Sequence, residues 1–386
     1  MKKLLAIAMA GLLTLSLAAC GAKDSTDANN NQTGQNEKQS EEKKESDAKD
    51  GEKIKVALLI SGNLGDMSFN DSANAGALKA QEALGVDVRV VECNSDSSKY
   101  EPTLLEFSDE GYDMVIVSTN FIEFVEMYAD DYPDTTYVVF DGEVDYAKGD
   151  FKNVNCILYK ANEASFLGGY VAAELTKSGA SGMNDDKVIG FLGGMDQPVI
   201  NDFLVGFIQG AQYADPDVKV ASVYSNSFSD SAKGKELTIS MIGQGADVCF
   251  NVAGGAGIGL IEACVEKNLK VIGVDSDQAM IFEANKPEFS KHIPTSVLKN
   301  VGDSLYRAIE LYTKGELVTA ETEFLGIAEG GVGLADNKYY QEQVPQEIRD
   351  KVAELEDKIL KGEITINTAI GTPVEEVTKI ITDARP

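Results

Sequence analysis

Short apolar runs alternate with longer stretches of mixed polarity, and the beat is regular from residue 55 to residue 274. Residues 56–60 (Val-Ala-Leu-Leu-Ile) form a run suited to a strand buried on both faces, and Ser61-Gly62-Asn63-Leu64-Gly65 breaks it. Beyond that loop, Ala73, Ala77, Leu78 and Ala80 lie at helical spacing. The same reasoning predicts strands over 86–91, 114–117, 136–140 and 153–158, with helices over 101–110, 121–129 and 163–176. A second cycle predicts strands over 188–192, 218–224, 248–252 and 269–274, with helices over 201–211, 232–242 and 257–267. Strands that alternate with helices make βαβ units and parallel sheets. Two such sets of similar length predict an α/β protein of two doubly wound lobes, crossing from one to the other near residues 159–162.

The tail is less regular. Residues 295–314 predict a helix, 322–326 a strand and 346–361 a closing amphipathic helix. A helix from Thr295 packed on the first lobe would make the chain cross more than once, which favours hinge closure over independent domains. The expected division is residues 54–159 plus about 290–320 in lobe 1, and 160–289 plus about 321–340 in lobe 2. Residues 341–386 remain as a C-terminal helix and extension.

The first fifty residues change the picture. Lys2 and Lys3, an apolar stretch from 4 to 17 and then Leu17-Ala18-Ala19-Cys20 make a processing signal too short to span a bilayer, similar to the lipobox of bacterial lipoproteins. That similarity implies cleavage before Cys20, lipid on its thiol, and a mature protein held outside the cell membrane; an ordinary secretory signal with an incidental Cys20 is the alternative. Residues 21–53 are nearly free of apolar side chains and predict a disordered tether. At about 5 to 6 Å times the square root of its length, such a tether spans on the order of 30 Å.

The 386-residue chain is 43% hydrophobic, ample for two or three cores, and carries a formal charge of −29, which argues against nucleic acid as a partner. Cys93, Cys156, Cys249 and Cys264 show no CxxC spacing and read as small buried hydrophobes. His292 is the sole histidine, so neither a His-ligated zinc site nor a Ser-His triad is expected.

Polar residues collect just after strands, where open α/β sheets bind ligands. Asp66, Phe69, Asn70 and Asp71 follow the first strand; an aromatic beside carboxylates and an amide suits a flat ligand bearing hydroxyls or ring nitrogens. A core phenylalanine flanked by helix caps would read the same way. Asp141, Phe228-Ser229-Asp230, Gly254-Gly255 and Asp275-Ser276-Asp277 end further strands. The glycine-rich turn at 253–257 lacks the GxGxxG pattern of a dinucleotide site, and the aspartates lack the oxygen ligands of an EF-hand, so no cofactor or metal is expected.

Gly65-Asp66-Met67-Ser68-Phe69-Asn70, Gly193-Gly194, Phe203 to Gly206-Phe207 with Gly210, Phe228-Ser229-Asp230 with Lys233-Gly234-Lys235, Gly254-Gly255, Val274-Asp275-Ser276-Asp277-Gln278 and Thr295-Ser296-Val297-Leu298-Lys299-Asn300 stand in this order along the chain. Together they resemble the basic membrane protein family, lipoprotein substrate-binding components of ABC importers that include purine nucleoside receptors. Leu64-Gly65-Asp66 stands where the family often has Ile-Asp-Asp or Ile-Asn-Asp. The resemblance implies a type I periplasmic-binding-protein fold closing on a nucleoside. Phe69 and Phe228 would stack on the two faces of the base. Asp66, Asn70 and Asp141 would bond its edge or the ribose, Gly254 would offer backbone, and Asp275 or Asp277 with Lys299 would hold the ribose hydroxyls. It further implies delivery to permease and ATPase subunits by a monomer without catalysis. A sugar or furanose signal as ligand, and a sensor role, are the alternatives.

Overall fold

The computed structural model describes residues 53–386, so Cys20, the leader and nearly all of the tether lie outside the described residues. The first half of the chain alternates β1 (Lys55–Ile60), α1 (Phe69–Leu84), β2 (Asp87–Glu92), α2 (Tyr100–Asp109), β3 (Met114–Ser118), α3 (Ile122–Tyr128), β4 (Thr136–Phe140) and β5 (Val154–Tyr159). The cycle then repeats through α4 (Ala161–Thr176), β6 (Val188–Gly193), α5 (Pro198–Ala214), β7 (Lys219–Tyr224), α6 (Ser231–Ile242), β8 (Ala246–Val252), α7 (Gly255–Glu266) and β9 (Lys270–Asp275). Next come α8 (Gln278–Glu283), α9 (Pro287–Ser290), β10 (Thr295–Lys299) and α10 (Val301–Thr313). The chain finishes with β11 (Glu321–Leu325), β12 (Val332–Leu334), α11 (Lys338–Gln343), α12 (Gln346–Leu360) and α13 (Val374–Asp383).

Two six-stranded sheets share one topology, β2-β1-β3-β4-β5-β11 in lobe 1 and β7-β6-β8-β9-β10-β12 in lobe 2. All neighbours are parallel except β10 and β12. The strands β1, β3 and β6 are buried almost throughout, as their apolar runs require. β5 and β8 are as deeply buried but carry the polar residues Asn155, Asp247 and Asn251. This is the two-lobed α/β architecture of type I periplasmic binding proteins.

The tail departs from expectation. Residues 295–299 are strand, not helix, and the helix begins only at Val301. The strand was hidden by its polar residues: Thr295 and Ser296 are fully buried, with the Thr295 hydroxyl donating to the Ala335 carbonyl (2.8 Å) and the Ser296 hydroxyl accepting from the Gln278 backbone N–H (3.2 Å). The lobe assignment changes with it. β10 completes the second sheet, whereas β11, expected in lobe 2, pairs with β5 in the first. Helix α10 does pack on lobe 1, against α1, where two glycines let the backbones touch: a Cβ on Gly76 would lie 2.1 Å from the Gly302 carbonyl oxygen. The C-terminal extension carries one more helix than expected; α12 lies on α4, α13 on α5, and Val220 N–H donates to the Ala384 carbonyl (2.8 Å).

The chain therefore crosses between lobes three times: at Lys160, at Asn300 and over residues 326–331. The crossings are tied to one another. Lys160 N–H donates to Leu325 (3.0 Å) and Asn300 N–H to Gly331 (2.8 Å). Among the described residues, no helix is long and apolar enough to cross a membrane.

Candidate functional site

Both sheets aim the carboxyl ends of their parallel strands at the cleft between the lobes, and a cavity of about 380 Å³ lies there. Lobe 1 lines it with Asp66 from the β1–α1 turn, Phe69 and Asn70 from the first turn of α1, and Asp141 after β4. From lobe 2 come Phe228 after β7, Gly254 after β8, Asp275 at the end of β9 and Lys299 at the end of β10.

Its floor is an ion cluster built from topologically matching positions. Asp141 and Asp275 stand at the ends of the equivalent strands β4 and β9, both with left-handed backbones (φ 61° and 60°) that turn their side chains toward the cleft. Between them the Lys299 ammonium is only 3% exposed, 3.0 Å from Asp141 and 3.8 Å from Asp275. The second Asp275 oxygen accepts a hydrogen bond from the Ser68 hydroxyl of lobe 1. Burial pushes the Asp275 carboxyl above its ordinary range, and Lys299 and Ser68 pull it back. An ammonium and two carboxylates offer fixed donors and acceptors to adjacent hydroxyls of a ligand, in a setting where water competes little.

The ammonium also sits over aromatic rings, 4.7 Å from the centroid of Phe69, 5.1 Å from Phe203 and 5.7 Å from Tyr159. Phe69 stacks on Phe140 at 5.2 Å, so the core of lobe 1 holds its ring in place. Across the cleft, Phe228 is 40% exposed and lies on the backbone of Gly194, where a Cβ would come within 2.1 Å of the ring. Gly254 takes φ 53° and ψ −131°, a conformation open in practice to glycine alone, and brings its backbone beside Phe228.

Asp66 caps α1. Its carboxylate accepts from the N–H groups of Ser68 (3.0 Å), Asn70 (2.9 Å) and Asp71 (3.2 Å). Burial outweighs these bonds and pushes its pKa up to about 6. The Asn70 amide donates to the Asn63 carbonyl (3.1 Å).

Asp277 stands apart from the other residues singled out in the sequence. It is not in the cavity wall; it caps α8 through Met280 N–H (3.3 Å) and accepts from the Asn337 amide (2.7 Å). Of the two aspartates left open by the sequence, Asp275 is the one beside Lys299. A polar shelf of Ser61, Ser95, Ser118, Thr119 and Asn120 was missed, as were Gln197 and Asn226 in lobe 2. Their signal was the strand-end rule itself, since Ser118 to Asn120 directly follow the apolar run at 114–117. All four cysteines of the described residues are buried and free, and no group of three metal-ligating side chains occurs among those residues.

Two lobes joined by three crossings around a polar, aromatic-lined cleft define a solute-binding protein. Residues 53–369 match the model of the Bmp family, ABC transporter substrate-binding proteins of PnrA-like type, and the chain belongs to that family. Basic membrane protein A of Borreliella burgdorferi is 32% identical over 321 residues, covering 81% of this chain and 87% of that protein. A solved solute-binding protein of an Aeropyrum pernix K1 ABC transporter system is 29% identical with a TM-score of 0.72, covering 86% of this chain and 99% of that one. The arabinose-transporter binding protein of Shewanella sp. ANA-3, solved with L-arabinofuranose, shares the fold at 18% identity and a TM-score of 0.54, covering 78% of this chain and 98% of that one. Membership implies a permease and an ATPase as partners.

Proposed function

We propose that the chain is a monomeric, lipid-tethered receptor, anchored through Cys20 outside the cell membrane, that binds a nucleoside, preferentially a purine nucleoside, for import. The observation that supports this reading above others is that Phe69 and Phe228 reach one cavity from opposite lobes while Asp141, Lys299 and Asp275 form its floor. Rings on both sides favour a flat base, worth roughly 1 to 3 kcal/mol of stacking each. The ion cluster favours ribose hydroxyls. Asp66, poised near pH 6, faces the same space and offers an acceptor to a base N–H.

The test is calorimetric titration with adenosine, guanosine, inosine, uridine, free bases and ribose, after unfolding and refolding to strip carried-over ligand. Tight binding of purine nucleosides with weak binding of base or ribose alone is the expected result. Binding of ribose or another furanose with no gain from the base would move the ligand to sugars, and the role given to Phe228 would be withdrawn first. Radiolabelled palmitate on the wild-type chain, and none on Cys20→Ser, tests the anchor.

A further inference from the structure

The turn between β1 and α1 is part of lobe 1 by connectivity, yet it is seated in lobe 2. The Met67 side chain packs against a lobe 2 core cluster that includes Leu260 and Ala279, and its backbone is held left-handed at φ 54°. Its carbonyl accepts from the Gln278 side-chain amide (3.1 Å). The next residue, Ser68, reaches Asp275. Within the turn, the Asp71 carboxylate accepts from Gly65 N–H and Met67 N–H (2.8 Å each), so the turn is braced before it meets the other lobe.

Gln278 is fully buried and does not line the cavity. Its side-chain carbonyl oxygen accepts from Val274 N–H and from the Asn251 amide (3.2 Å each), while its backbone N–H donates to the Ser296 hydroxyl (3.2 Å). Val274 and Asn251 fix which end of the side-chain amide faces lobe 1: a flipped side chain would set oxygen against the Met67 carbonyl and NH₂ against Val274 N–H. The donor is thus oriented before the lobes meet.

We propose that Gln278 is a positioning residue that latches the closed cleft, acting through the Met67–Ser68 turn and without touching the ligand. Opening exposes the Met67 side chain and breaks the Gln278 bond, so the latch weights the open–closed equilibrium of the empty protein.

The test needs no ligand, so it stands apart from the nucleoside reading. The full chain carries Cys20→Ser, Met127→Cys on α3 and Ile239→Cys on α6, both new sites being solvent-exposed, and spin labels report the distance between lobes. Gln278→Glu keeps the side-chain shape and the acceptors for Val274 and Asn251 but sets a carboxylate oxygen against the Met67 carbonyl. It is expected to lower the ratio of short to long distances by about tenfold, the worth of one buried hydrogen bond. Met67→Ala, made on the opposite lobe, should shift the ratio the same way, and the two changes combined should fall short of additivity. Should Gln278→Glu fail to fold by circular dichroism, Met67→Ala alone decides. Distance distributions unchanged from wild type, whether all closed or all open, overturn the latch.

Discussion

Replacing Lys299 by methionine is the sharpest probe of the cavity floor. The substitution keeps the length of the stem and removes the single ammonium lying between Asp141 and Asp275, at 3.0 and 3.8 Å. Lys299 is 3% exposed, so little solvent screens the pair. Removing one partner of a buried pair costs about 3 to 5 kcal/mol, a large share of the 5 to 15 kcal/mol by which a typical domain is stable. The sign of the pH dependence follows from Asp275. Its folded pKa already stands above the unfolded value, and Lys299 is the strongest influence pulling it down. Without the lysine the carboxyl rises further, so the variant is least impaired in acid, where the group is protonated in both states, and loses stability as pH rises. Urea denaturation of wild type and Lys299→Met at a series of pH values reads this directly. The expected gap widens as pH rises and closes in acid; adding Asp275→Asn should restore part of the loss. A gap that is small, or constant with pH, would falsify the account of the floor as a mutually dependent charge cluster.

Phe69→Ala and Phe228→Ala should each weaken binding of inosine or adenosine by at least about tenfold in calorimetry, and unchanged affinity in both sinks the two-ring reading. Asp66 has an ordinary value of 3.8 and a folded value of about 6, so its contribution to stability is complete below about pH 4 and is lost as pH rises through 6, on the order of 3 kcal/mol. Asp66→Asn should flatten that part of the urea-stability profile; an identical slope would assign the titration to another group. Gly76→Ala should lower the melting temperature by an amount corresponding to about 1 to 3 kcal/mol, because its Cβ would meet the Gly302 carbonyl at 2.1 Å. An unaltered melting temperature would show that α1 and α10 separate without cost.

Where a strand is buried on both faces by aliphatic side chains, the chain announces it. β1 and β3 are legible for that reason, and the parallel sheets follow from their alternation with helices. β10 is not legible, because buried Thr295 and Ser296 satisfy their hydroxyls through partners forty and eighteen residues away, Ala335 and Gln278. With β10 went the exchange of edge strands, since only pairing tells that β11 returns to lobe 1. The cavity residues at Phe69, Asp141 and Phe228 stand at strand ends and could be read as such. Asp275 and Asp277 could not be separated by spacing alone. The left-handed backbone at Asp275 and the Asn337 amide beside Asp277 make the difference, and both are tertiary facts. Gln278 was visible only as a letter in a motif; its reach to Met67 depends on how the lobes meet.

The third crossing has a consequence for biosynthesis. Strand β5 ends at Tyr159, but its outer neighbour β11 starts at Glu321, after the whole of the second sheet's parallel core. At roughly 5 to 20 residues per second, a ribosome needs on the order of ten to thirty seconds to supply the intervening segment. Throughout that interval β5, apolar except at Asn155, presents an unpaired edge of the sort that recruits other chains. Neither lobe corresponds to a contiguous stretch of gene, so a truncation after Tyr159 yields a sheet lacking both its edge strand and α10, and the nascent chain must be kept from pairing elsewhere until its last quarter has been made.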